Sequence, residues 1–180
     1  DYYDYLPLPD GRLGLVIADV SGKGVGAALL MAAFQASLRS LAGELAPEVL
    51  LHRLNRVMFE NSPPSKYVTA FYGELDPATG DFVYVNAGHN PPLLLCDGRV
   101  EELGSTGPVV GLIQPAVFRT GRTRLADGAV LMLYTDGVTE CEDVGENEYG
   151  LERLRAWVAR QAERELGEAA ADLLAELGRF

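Results

Sequence analysis

Cysteine is scarce in these 180 residues: Cys96 and Cys141 are the two present. Neither has a companion at metal-site spacing and the pair makes no disulfide framework, so both are expected to be reduced thiols of a cytoplasmic protein. Histidine is as rare, with His52 and His89 alone. That scarcity leaves no Cys–His or Ser–His–Asp arrangement for a protein nucleophile. No apolar run approaches the roughly 20 residues that cross a bilayer. The opening DYYDYL has none of the character of a signal peptide. Positive charge is short as well: 15 Lys and Arg stand against 26 Asp and Glu, a net charge of −11. Phosphate backbones select basic surfaces, so a nucleic-acid partner is excluded. Among the basic residues only Lys23 and Lys66 are lysines.

What is present is ordinary for a globular chain, 48% hydrophobic and 23% charged, and the length suits a single domain over 1–180 with a sizeable core. The organising stretch is LGLVIADVSGKGVGAALL at 13–30. It begins as an apolar, β-branched run, the mark of a buried strand. It breaks at Asp19, turns through Ser21, Gly22, Lys23, Gly24 and Gly26, and resumes as a buried helix. A lone carboxylate ending such a strand is costly to bury unless it is paired or holds a metal. A glycine turn between strand and helix also raises a phosphate or dinucleotide loop. Here the acid precedes the glycines, opposite to the dinucleotide pattern, and Gly-x-x-x-x-Gly-Lys-Ser/Thr is absent.

Along the chain, residues 1–12 read as a strand and a turn at Pro9-Asp10-Gly11, and helices are predicted from Val25 to Ala42 and from Pro47 to Asn61. His52 lies off the apolar stripe of the second helix and is expected in solvent. YVTAFYGEL (67–75) and DFVYVNA (81–87) form a hairpin, as do PPLLLC and RVEEL. VFRTGRTRL and AVLMLYT read as two further strands around Asp127-Gly128. Helices follow over 149–165 and 168–178, with Trp157, Leu173, Leu174 and Leu177 as core anchors. Strands grouped in hairpins and helices in pairs indicate an α+β fold with antiparallel sheets.

A second site-like stretch is AVLMLYTDGVTE (129–140), where an apolar strand again runs into an acid and a glycine, Asp136-Gly137. Asp97-Gly98 and Asp127-Gly128 read as plain turns. Two strand-end acids, Asp19 and Asp136, suggest carboxylates that meet across a cation, and Asp1 and Asp4 are candidates to complete the cluster. Oxygen-only ligands select Mg²⁺ or Mn²⁺ over zinc. In NAGHNPP (86–92), His89 is either a structural hydrogen bonder or a general acid.

Taken in order, DYYDY, DVSGKGVGAALLMA, YVNAGHNPPLLL and LYTDGVTE resemble the SpoIIE/RsbU-like branch of the metal-dependent (PPM-type) serine/threonine protein phosphatases. The match spans nearly the whole chain. The resemblance implies a sandwich of two antiparallel sheets flanked by helix pairs, with a binuclear Mn²⁺ or Mg²⁺ site. It assigns metal ligation to Asp1, Asp19, the Val20 carbonyl and Asp136, makes Asp19 and Asp136 the catalytic acids, and leaves Lys23 to hold phosphate. The implied activity is hydrolysis of phosphoserine or phosphothreonine by a metal-activated water, on a STAS-type anti-sigma-factor antagonist in bacterial signalling. It further implies an output domain behind a PAS, GAF or receiver sensor, with a homodimer open to it. The family's opening glycines and its final Asp-Asp-x-Thr strand are not among residues 1–180, so one metal position is expected to lack a ligand. The rival expectation is a non-catalytic, partner-binding domain that keeps the fold.

Overall fold

The computed structural model describes residues 1–162 and 164–180. In chain order its elements are β1 (Tyr2–Pro7), β2 (Leu13–Val20), α1 (Val25–Leu41), α2 (Pro47–Asn61), β3 (Val68–Leu75), β4 (Asp81–Ala87), β5 (Leu93–Cys96) and β6 (Arg99–Glu102). β7 (Gly121–Arg124), β8 (Val130–Met132), α3 (Asp136–Thr139), α4 (Gly150–Val158) and α5 (Leu166–Leu177) follow. They divide between two compact units, one of residues 1–89 and 104–124, the other of 90–103 and 125–180.

The first unit is built on an antiparallel sheet of order β1-β2-β3-β4-β7. β2 lies inside the sheet, between β1 and β3, and is apolar on both faces, so its side chains sort by parity. Val16, Ala18 and Val20 join Ala70, Tyr72 and Val85 in a core completed by Phe34 and Leu38 of α1 and Leu50, Leu51 and Leu54 of α2. Each large side chain closed off there contributes about 1.5–3 kcal/mol. On the opposite face, Phe71, Phe82 and Tyr84 stack with ring centroids 5.3–6.2 Å apart. α2 opens with Pro47 in its first turn, where the missing N–H has no partner to lose.

The second unit carries a three-stranded antiparallel sheet, β6-β5-β8. Its core gathers Leu93 and Leu95 with Tyr134, Tyr149, Leu154, Trp157, Val158 and Leu173. Tyr149 donates to Glu176 at 2.6 Å, fastening the start of α4 to the last turn of α5.

The α+β class and the two antiparallel sheets are as expected from sequence; three local expectations are corrected. The two strands read around Asp127-Gly128 are shorter than expected, β7 pairing with β4 and β8 with β5. Residues ahead of β7 are drawn to the 104–110 loop, Arg119 donating its N–H to Thr106 O, while β5 offers β8 only three paired positions. The helix expected over 149–165 ends at Val158, and its position 163 lies outside the described residues. Gln161, itself buried, ends it by turning its side-chain amide back onto Trp157 O at 2.7 Å. Leu174 is 70% exposed, whereas its neighbour Leu173 is buried. The 3.6-residue helical period carries the second leucine round to solvent.

Candidate functional site

Register builds the site. Tyr2 pairs with Ala18, which sets Asp1 beside Asp19 at the end of β2. The backbone nitrogen of Asp1 lies 3.7 Å from Asp19 Oδ1. On the other side β2 pairs with β3 through Val20 and Val68, and the pairing continues one step into the turn. There Ser21 N donates to Tyr67 O, and Tyr67 N returns a bond to Ser21 Oγ, both at 2.9 Å. Lys66 Nζ adds a bond to Ser21 O at 3.0 Å.

The chain then reverses through Gly22 and Gly24, at φ 85° and 88°. That left-handed region favours residues without a Cβ. α1 begins directly after, with no side-chain cap and no acid in its first turn. Its positive dipole end is therefore not neutralised by its own side chains.

Asp1, Asp19, Val20 and Lys23 line one hollow of about 510 Å³, together with Tyr2 and the Ala27–Gln35 face of α1. Among the described residues, Asp1 and Asp19 are the acids that line it. Four of the five sequence-predicted site residues thus come together. Asp136 belongs to the second unit, where it is exposed and opens the one-turn helix α3, its carbonyl accepting from Glu140 N at 2.7 Å. Among the described residues no set of three or more His, Cys, Asp and Glu side chains forms a metal-binding group.

Asp4, a candidate for the acid cluster, is otherwise engaged. It receives Tyr2 OH at 2.8 Å and Tyr5 N at 2.9 Å, and it pairs with Arg39 of α1. Burial pushes its carboxyl up, but the Tyr2 and Tyr5 bonds and the Arg39 guanidinium outweigh that and hold it below the usual range. Burial first, and then the Asp4 bond and charge, push the Tyr2 phenol up to about 12, so it stays a neutral donor at the rim of the hollow.

His89 makes structural hydrogen bonds, in keeping with one of the two alternatives. It is 4% exposed, its backbone N–H donates to Asn86 Oδ1 at 2.9 Å, and its Nδ1 is 2.9 Å from Thr69 Oγ1. His52 is solvent-facing as expected, with Nδ1 3.3 Å from Ala116 O. Sequence reasoning missed Ser21, Lys66 and Thr69. The one available signal was a polar threonine in the otherwise apolar opening of β3.

The family model for stage II sporulation protein E (SpoIIE) matches residues 9–180. The chain belongs to the SpoIIE family. It is 33% identical over 144 residues to the phosphoserine phosphatase RsbU of Bacillus subtilis, covering 78% of this chain and 43% of that protein. It also resembles the solved RsbU and RsbW domains of Rv1364c from Mycobacterium tuberculosis. That match has a TM-score of 0.85 and 32% identity, covering 99% of this chain and 50% of that one. The PP2C phosphatase domain of SpoIIE from Bacillus subtilis shares the fold at a TM-score of 0.81 and 15% identity, covering 99% of this chain and 52% of that one. The chain spans less than half the length of the curated relatives it matches. No helix among the described residues is long and apolar enough to cross a membrane.

Proposed function

We propose that this chain is a divalent-metal-dependent phosphatase domain acting on phosphoserine or phosphothreonine in a protein substrate, of which a STAS-type antagonist is the favoured class. The carrying observation is the convergence of Asp1, Asp19, Val20 and Lys23 on one hollow at the end of β2, in a chain of a family that includes phosphoserine phosphatases. The donors suit the group: two carboxylates and a backbone carbonyl are hard oxygen ligands that favour Mg²⁺ or Mn²⁺. Asp1, Asp19 and the Val20 carbonyl would hold the metal from the first unit, and Asp136 is assigned the same role on the family resemblance. When bound, such ions acidify water and offset charge on phosphoryl oxygens.

The chain's own residues supply the rest. Lys23, exposed on the turn, places a cation where a phosphate would enter. The uncapped first turn of α1 offers further N–H groups to an anion. In the whole protein we assign this domain a signalling role in the cytoplasm, as the output of a sensor module such as PAS, GAF or a receiver, with dimerisation open to it.

The test is hydrolysis of p-nitrophenyl phosphate and of a phosphoserine peptide against Mn²⁺ concentration, for the wild type, D19N and D136N. Metal-dependent turnover that falls at least 100-fold in both variants supports the reading. Turnover indifferent to metal and to Asp19 overturns it. One observation favours a second reading, a partner-binding domain without catalysis: no acid group of three is gathered among the described residues. That reading predicts tight partner binding indifferent to both phosphorylation and metal.

A further inference from the structure

Behind the hollow lies a line of contacts that the proposed chemistry does not use. Asp19 and Thr69 are register partners on β2 and β3, so their side chains share a face of the sheet. Thr69 Oγ1 lies 3.4 Å from Asp19 O, a long hydrogen bond, and 2.9 Å from His89 Nδ1. A bridge between Ala70 and Gly88 brings the two segments alongside. The His89 backbone is seated by the bond from its main-chain N–H to Asn86 Oδ1, and Asn86 is fully buried. The order of donation follows from the atoms present. With the 3.4 Å contact taken as a hydrogen bond, the single Thr69 hydroxyl proton goes to the Asp19 carbonyl, which only accepts. Thr69 Oγ1 must then accept from His89, which requires the proton on Nδ1.

We propose that Thr69 and His89 are positioning residues. His89 Nδ1–H donates to Thr69 Oγ1, and the Thr69 hydroxyl donates to Asp19 O, fixing the peptide unit that joins the Asp19 carboxylate to the Val20 carbonyl. The inference rests on the reading of Asp19 and Val20 as metal ligands. Hydrogen bonds in series polarise one another, and residues that orient metal ligands in this way change affinity by about 10–100-fold when removed. A strand-end carboxylate held by this line is aimed before metal arrives.

The experiment follows both the imidazole and the metal. The chain contains only two histidines, so a long-range ¹H–¹⁵N correlation spectrum shows two rings, assigned with H52Q. The expected result is a His89 ring protonated at Nδ1, shifted by Mg²⁺ while His52 is not. T69V should abolish the Nδ1 preference and weaken Mg²⁺ binding by about tenfold or more in calorimetry, and T69S should restore both. Thermal melts of the metal-free proteins control for folding. A wild-type His89 protonated at Nε2 overturns the proposal, as does T69V with unchanged Mg²⁺ affinity. If the wild type binds no Mg²⁺ yet shows the Nδ1 proton and its loss in T69V, the relay stands and the metal reading falls.

Discussion

Arg12 holds Glu74, a carboxylate that is 3% exposed, at the end of β2 remote from the hollow. Tyr72 OH donates to the other oxygen of Glu74 at 2.8 Å, and Arg12 reaches Asp10 as well, at 2.6 Å. A buried acid left with one neutral partner is expensive. R12A should therefore destabilise the protein by about 3 kcal/mol, read as a lower urea midpoint with an unchanged slope. Replacing the pair together, as R12M with E74L, should cost less than R12A alone.

High pH should unfold this chain in a defined window. Burial, then the bond to Glu176, pushes the Tyr149 phenol up to about 12, and Tyr2 reaches about 12 through burial and Asp4. In the unfolded chain these phenols ionise near 10. The folded state therefore keeps protons that the unfolded state has lost, and the stability they contribute is whole below pH 10 and drains away up to about 12. Denaturant midpoints measured from pH 8 to 12 should fall across that window, and less steeply in Y149F.

Two glycines four residues apart in the chain should respond in opposite ways to alanine. Gly22 has φ 85°, and a Cβ there meets the Lys66 ammonium, so G22A should lose about 1 kcal/mol and loosen the Lys66 bond to Ser21. A Cβ on Gly26 meets nothing within 4 Å in α1, so G26A should be neutral or stabilising by up to about 1 kcal/mol. Urea melts of the two proteins decide the matter.

Adjacent leucines on α5 make a sharper contrast. Leu173 is 7% exposed and Leu174 70%. L173A should cost about 2–4 kcal/mol and L174E no more than about 0.5 kcal/mol in the same melts.

Where local signals agree, the chain was legible. β2 and α1 announce themselves because a β-branched run, a glycine reversal and a helical stripe follow one another without conflict. The hairpin of β3 and β4 is as plain, since Asp76–Gly80 turns between two apolar strands. β7 and β8 were read too long because pairing limits their length and their partners lie far off in sequence: Tyr84 for Gly121, and Leu95 for Val130. No local pattern records such pairings. Leu174 misled because the buried stripe of α5 takes only the first of its two consecutive leucines, whereas α2 buries both Leu50 and Leu51. In the site, Asp1, Asp19, Val20 and Lys23 were readable from strand-end acids and motif order. Thr69 was not, and His89 was singled out without its partner, because what matters is their contact across 20 residues of sequence, and a single histidine in a turn carries no signal of its neighbour.

The scarcity of lysine has a practical consequence at the glycine turn. Lys23 lines the hollow, and the Lys66 ammonium sits over Gly22. Amine-reactive dyes and crosslinkers aimed at lysine would thus write their mark beside the mouth of the hollow and nowhere else on this sequence. A resin that captures the protein through lysine would hold it face down, with the opening turned against the matrix.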